Sequence, residues 1–172
     1  GSTYCAPSKV PTKNPETPND PRDDDDSQIP GPIDPNQKLG PSGFGIAGFI
    51  SPSTTLPYRI DFENDATATA PAQIVTITDH LDPDLDWSSF ALTEIGFGDH
   101  LIAVPANAQH FETTVPVHYN GQDFEVQIEA GINLATGQVY AHFYSIDPDT
   151  SLPPDVLTGF LPPEDGTGRG MG

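Results

Sequence analysis

The sequence predicts an all-β fold, an antiparallel sandwich of short strands carried behind a disordered proline-rich linker. Three observations carry that expectation. Beyond Leu56 apolar and polar residues alternate at period two, turn-forming residues recur between the alternating runs, and no stretch shows a helical repeat. With 20 prolines, 16 glycines and 35% apolar residues among 172, the chain is rich in turn formers and has no apolar run long enough to span a membrane.

Residues 1–38 hold prolines at 7, 11, 15, 18, 21, 30, 32 and 35 and an acidic run from Asp23 to Asp26. Such a segment buries too little apolar surface to offset its ordering entropy, and reads as an extended linker. The single cysteine, Cys5, lies within it and has no internal disulfide partner. The folded module is therefore expected over 39–172.

Within the module the first strand is Leu56–Phe62, where Leu56, Tyr58, Ile60 and Phe62 alternate with Pro57, Arg59 and Asp61. A polar turn from Asn64 to Pro71 separates it from Ile74–Thr78, in which Val75, Thr76 and Ile77 are consecutive β-branched residues. Phe90–Phe97 and Leu101–Val104 follow. The clearest local signal is Phe111–Tyr119, then Asn120-Gly121, then Phe124–Ile132. Asn-Gly suits the two positive-φ positions of a tight hairpin, setting Phe111, Thr113, Val115 and Val117 against Phe124, Val126, Ile128 and Ala130. Another turn, Ala135-Thr136-Gly137, leads to Val139–Ile146, so three strands form a meander.

Charge excludes several partners. Residues 39–172 contain eighteen acids and two bases, within a total net charge of −19. Nucleic acid and anionic membrane are unsuitable, because phosphate binding needs lysine and arginine. The carboxylates call for solvation, salt or a divalent cation. Asp82-x-Asp84-x-Asp86 is the sharpest candidate for calcium, with Asp79 and Asp99 as helpers, since alternating carboxylates present oxygens on one side of an extended loop. A solvated acidic turn shaped by Pro83 explains the same residues equally well. Asp147-Pro148-Asp149 with Asp155 has the same ambiguity. The five histidines (His80, His100, His110, His118, His142) show no His-x-x-x-His pair, which argues against a transition-metal site. Trp87, Tyr119, Tyr140 and Tyr144 could build an aromatic platform for sugars, although Tyr140 and Tyr144 share a side with Ile146 and core packing would also account for them.

Pro57 to Asn64, Ala68 to Asp79 and Leu81 to Trp87 together resemble the bacterial conserved-repeat domain of unknown function number eleven, an immunoglobulin-like module of large surface proteins. The resemblance implies an immunoglobulin-like sandwich, no enzymatic activity, and an extracellular structural or adhesion role at the bacterial cell surface; the charge excess adds calcium as a stabiliser. It also implies a further strand after Gly166–Gly172, leaving an edge for a neighbouring module or another copy to pair with. A carbohydrate-binding module, taking surface glycans, is the alternative function. Self-processing at the Asp-Pro bonds after Asp20, Asp34, Asp82 and Asp147 is a second.

Overall fold

The computed structural model describes residues 36–43, 45–51 and 53–172. Among these, eight strands run in chain order: β1 (Asn36–Leu39), β2 (Arg59–Phe62), β3 (Ile74–His80), β4 (Leu92–Phe97), β5 (His100–Ala108), β6 (His110–Tyr119), β7 (Gln122–Asn133) and β8 (Gln138–Ile146). One 3-10 turn, Trp87–Ser89, accompanies them. The protein is an all-β sandwich of antiparallel sheets, as the alternation predicts. Most of the expected linker, residues 1–35, lies outside the described residues. Its last three, Asn36–Lys38, belong to β1, so the expected boundary after 38 falls inside a strand.

The first layer is a four-stranded sheet in the order β3-β8-β7-β6. Strands β6, β7 and β8 form the expected meander. Asn120 and Gly121 have φ of 52° and 74°, the pair of positive values a type I′ turn requires. The register sets Phe111 opposite Ala130, Thr113 opposite Ile128, Val115 opposite Val126 and Val117 opposite Phe124. Strand β3 joins from further back in the chain, with Val75 opposite Phe143.

The second layer contains two ribbons, β1–β2 and β4–β5. The first is shorter than the alternation suggests: β2 begins at Arg59, past Pro57, which has no amide to give a ladder. The end of the chain links the ribbons. Phe62 and Gly172 exchange backbone hydrogen bonds of 2.9 and 2.8 Å, Asn64 donates to Gly170 at 2.8 Å, and Gly98 of the β4–β5 turn donates to Met171 at 2.7 Å. Where the resemblance implies a further strand after Gly166–Gly172, residues 170–172 already occupy pairing positions between the two ribbons.

Strand β5 passes into β6 through Gln109 alone. Ala108 pairs with Leu92 in the second layer and His110 with Gly131 in the first, so one long strand switches sheets. Asn107, at φ 62°, supplies the bend.

Between the layers lie Phe62, Ile95 and Phe97 from the ribbons, Val75, Phe124, Val126, Ile128, Ala130 and Phe143 from the four-stranded sheet, and Phe160 and Leu161 from the returning tail. The segment after β2, expected as a polar turn, contributes a buried tie. Asn64 is 1% exposed, and its amide donates to the carbonyls of Ala70 and Leu161, both at 2.9 Å. Burial without those acceptors would cost about 1–3 kcal/mol, so the tail and this turn hold each other in place.

Gly121→Val is expected to cost about 1–2 kcal/mol, because a β-branched residue would be forced to positive φ. A Cβ there meets nothing within 4 Å, so the loss of melting temperature reads the turn geometry alone. Gly170→Ala would place a Cβ 2.6 Å from backbone atoms of Pro162 and Glu164. A loss of about 1–3 kcal/mol in chemical denaturation is expected, as for other overpacked positions.

Candidate functional site

The outer face of the four-stranded sheet is set by the parity of β8. Ala141, Phe143 and Ser145 turn inward, and Phe143 and Ser145 are each 1% exposed. Tyr140, His142 and Tyr144 consequently face out in one row. Their ring centroids are 5.5 Å apart for Tyr140 and His142 and 6.1 Å for His142 and Tyr144, with tilts of 31° and 30°. Tyr144 is 36% exposed, and Ile74, directly opposite it on β3, is 52% exposed.

The register surrounds this row with polar side chains. Gln127 lies opposite Tyr144, Glu129 opposite His142 and Gly131 opposite Tyr140. One strand further out, Thr114 faces Gln127, Glu112 faces Glu129 and His110 faces Gly131. The Tyr140 hydroxyl donates to Glu129 Oε1 at 3.4 Å, and His142 Nδ1 lies 3.4 Å from Thr76 Oγ1. Burial pushes the Tyr140 phenol above its ordinary pKa, and the charges of Glu129 and Glu112 add to the shift. Gly131 makes room for this ring, since a Cβ there would lie 3.1 Å from its oxygen. Chemically, the face combines aromatic surface with hydrogen-bond acceptors and carries no lysine or arginine from these strands.

The expected four-residue aromatic platform is thereby corrected. Tyr140 and Tyr144 point outward and not into the core, His142 stands between them, and the other two aromatics lie elsewhere. Tyr119 packs against the core. Trp87 donates from Nε1 to the Asp82 carbonyl at 3.0 Å and rests its ring on Gly137 in the β7–β8 turn.

The expected calcium residues are placed in separate local roles. Asp82 Oδ1 accepts from the Asp84 amide at 2.8 Å, and Asp86 Oδ1 caps the 3-10 turn by accepting from Ser88 N and Oγ at 3.1 and 2.5 Å. Asp84 is exposed. Asp79 on β3 pairs with Lys38 on β1 at 2.5 Å, and Asp99 lies 3.5 Å from His100. The structure does not bring the five together into a ligand set. Asp147 and Asp155 likewise accept from backbone amides two residues on, at 2.8 and 2.9 Å. Among the described residues the metal-ligating side chains that do converge in a group of three are His110, Glu112 and Glu129, with ligand atoms within 4.8 Å of one another. On sequence alone His110 is set aside with the other histidines and is not joined to Glu112 and Glu129, yet a His-x-Glu spacing on one strand face and the hairpin register together identify the group.

The tail forms a second compact polar feature. Glu164 Oε1 accepts from Gly166 and Gly168 at 2.6 and 2.9 Å, and its Oε2 accepts from Gly170 at 2.9 Å. These amides, Gly168 foremost, hold the Glu164 carboxyl below its usual range. Arg169 and then Thr167 lower Asp165 to about 2. The loop thus anchors residues 170–172 where they link the ribbons.

The architecture defines an all-β sandwich whose four-stranded sheet carries aromatic and carboxylate side chains on its outer face. The chain belongs to the family described as Domain of unknown function (DUF7619), whose model matches residues 34–136. That span includes His110, Glu112 and Glu129 and ends before the Tyr140–Tyr144 row. No curated protein and no solved structure matches the chain. No helix among the described residues is long and apolar enough to cross a membrane.

A carboxylate with a depressed folded-state pKa stabilises above its unfolded value, and that contribution is lost as pH falls through the folded one. For Asp165 the window runs from 3.8 down to about 2. The Thr167 amide donates to Asp165 Oδ1 at 3.1 Å, so its protection relative to intrinsic exchange is expected to fall across that window, and Asp165→Asn is expected to weaken the dependence.

Proposed function

We propose that this chain is a non-catalytic binding module of an extracellular bacterial surface protein, and that the outer face of its four-stranded sheet takes a carbohydrate chain. The row Tyr140–His142–Tyr144 carries this reading. A sugar ring has an apolar face of C–H groups and a rim of hydroxyls. Exposed aromatic rings meet the first, and Glu129, Gln127, Thr76 and Thr114 beside them offer hydrogen bonds to the second. Centroid steps of 5.5 and 6.1 Å along the row put the two tyrosine rings no more than about 12 Å apart, a span that suits an extended chain of sugars better than a single one. The acidic face favours neutral or amino-bearing glycans over anionic ones.

The extracellular surface assignment draws on the sequence resemblance and on the excess of carboxylates, which leaves phosphate-rich partners unsuitable. Adhesion to a glycan and a stalk-like role in a larger protein are compatible, since one sheet face suffices for the first.

Tyr144→Ala is the informative variant, because its side chain is solvent-exposed and its loss should leave the fold intact. On a glycan array followed by titration calorimetry, the unmodified protein is expected to retain neutral glycans. The variant is expected to bind roughly tenfold more weakly, a loss of about 1.4 kcal/mol. An array without hits, or a variant that binds unchanged, would overturn the reading and leave a plain spacer module.

A further inference from the structure

We propose that His110, Glu112 and Glu129 form a binding site for a divalent transition-metal cation of the zinc class, built across the β6–β7 hairpin. The placement follows from the register. His110 and Glu112 stand two residues apart on one face of β6, and Glu129 lies directly across from Glu112 on β7. Both strands belong to the same long, regularly paired hairpin, so three ligands are held on a rigid frame before any metal arrives.

The spacing suits a small tetrahedral ion. His110 Nε2 lies 3.4 Å from Glu129 Oε1 and 3.5 Å from Glu112 Oε1. Bonds of about 2.1 Å to a tetrahedral centre put neighbouring ligand atoms roughly 3.4 Å apart, so the two observed separations already approximate edges of such a site. The donor set points the same way. One imidazole nitrogen with two carboxylates matches zinc-class ions, whereas calcium takes six to eight oxygens. Three protein ligands leave a fourth position for water or for a bound molecule.

Electrostatics supplies a driving force. Glu112 and Glu129 are like charges in direct cross-strand opposition, an arrangement that destabilises a sheet. No lysine or arginine among the described residues relieves it: Lys38 is paired with Asp79, Arg59 with Asp61 and Arg169 with Asp165. The Tyr140 hydroxyl, 3.4 Å from the same Glu129 Oε1 that faces His110, would help orient that ligand, as outer partners of metal-bound carboxylates do. The site stands independently of the carbohydrate reading, since its probe is the metal alone.

The experiment is calorimetric titration of zinc chloride into the full chain, with melting temperature recorded alongside. It uses a Cys5→Ser background, so that the thiol cannot contribute. One zinc per chain and a raised melting temperature are expected, with little effect of magnesium or calcium at equal concentration. Glu112→Gln is expected to abolish the zinc response while leaving the metal-free protein as stable or more so, because it removes the like-charge pair. His110→Ala should also abolish the response, and Asp84→Asn should preserve it. The proposal is overturned by an absence of zinc binding, by an equal shift with magnesium, or by a response that survives in both Glu112→Gln and His110→Ala.

Discussion

The aromatic contact that joins the two layers is the ring of Phe143. Its centroid lies 5.2 Å from that of Phe62 on β2, 6.3 Å from Phe97 on β4 and 5.6 Å from Phe160 in the tail. One side chain from the four-stranded sheet therefore touches both ribbons of the opposite layer and the segment that returns after β8. Each of the four phenylalanines is at most 4% exposed. Neither ribbon is large enough to form a stable sheet alone, since an isolated two-stranded hairpin is marginal in water. They acquire stability by covering Phe143 and by sharing the last three residues of the chain as a common neighbour.

Those residues depend in turn on polar chemistry. The Glu164 carboxylate gathers three backbone amides of a glycine-rich loop, and the Asn64 amide holds the Leu161 carbonyl at 2.9 Å. Buried or semi-buried backbone groups in the tail are thereby satisfied without a regular strand. The same phenylalanine contact fixes the outward face. With Phe143 committed to the core, alternation leaves Tyr140, His142 and Tyr144 no choice of side. Structure and candidate site are in this sense two faces of one strand.

The charge distribution gives that face its character. Among the described residues Lys38 is held by Asp79 near the end of β3, Arg59 by Asp61 on β2 and Arg169 by Asp165 in the tail. The acidic turn from Asp82 to Asp86 spends two of its carboxylates on local amides, and Trp87 fastens it to the β7–β8 turn. Carboxylates crowd instead at Glu112 and Glu129, where the sheet itself forces them together.

The sequence by itself determined the all-β class, the β6–β7–β8 meander and the pairing of Phe111 to Val117 with Phe124 to Ala130. These follow from local rules, because Asn120-Gly121 fixes the turn and the turn fixes the register. It also contained the His110-x-Glu112 spacing, although the convergence with Glu129 becomes visible only when that register is followed outward. Tertiary structure alone decided which side of β8 is the core. Val139, Ala141 and Phe143 alternate there with Tyr140, Tyr144 and Ile146, so both faces are apolar and periodicity has nothing to distinguish them. The choice was made by Phe62, Phe97 and Phe160, from segments distant in sequence. The same holds for the tail: nothing local in Gly170-Met171-Gly172 specifies a strand, and its place between two ribbons exists because the backbone amides of Phe62, Asn64 and Gly98 donate to the carbonyls of Gly172, Gly170 and Met171.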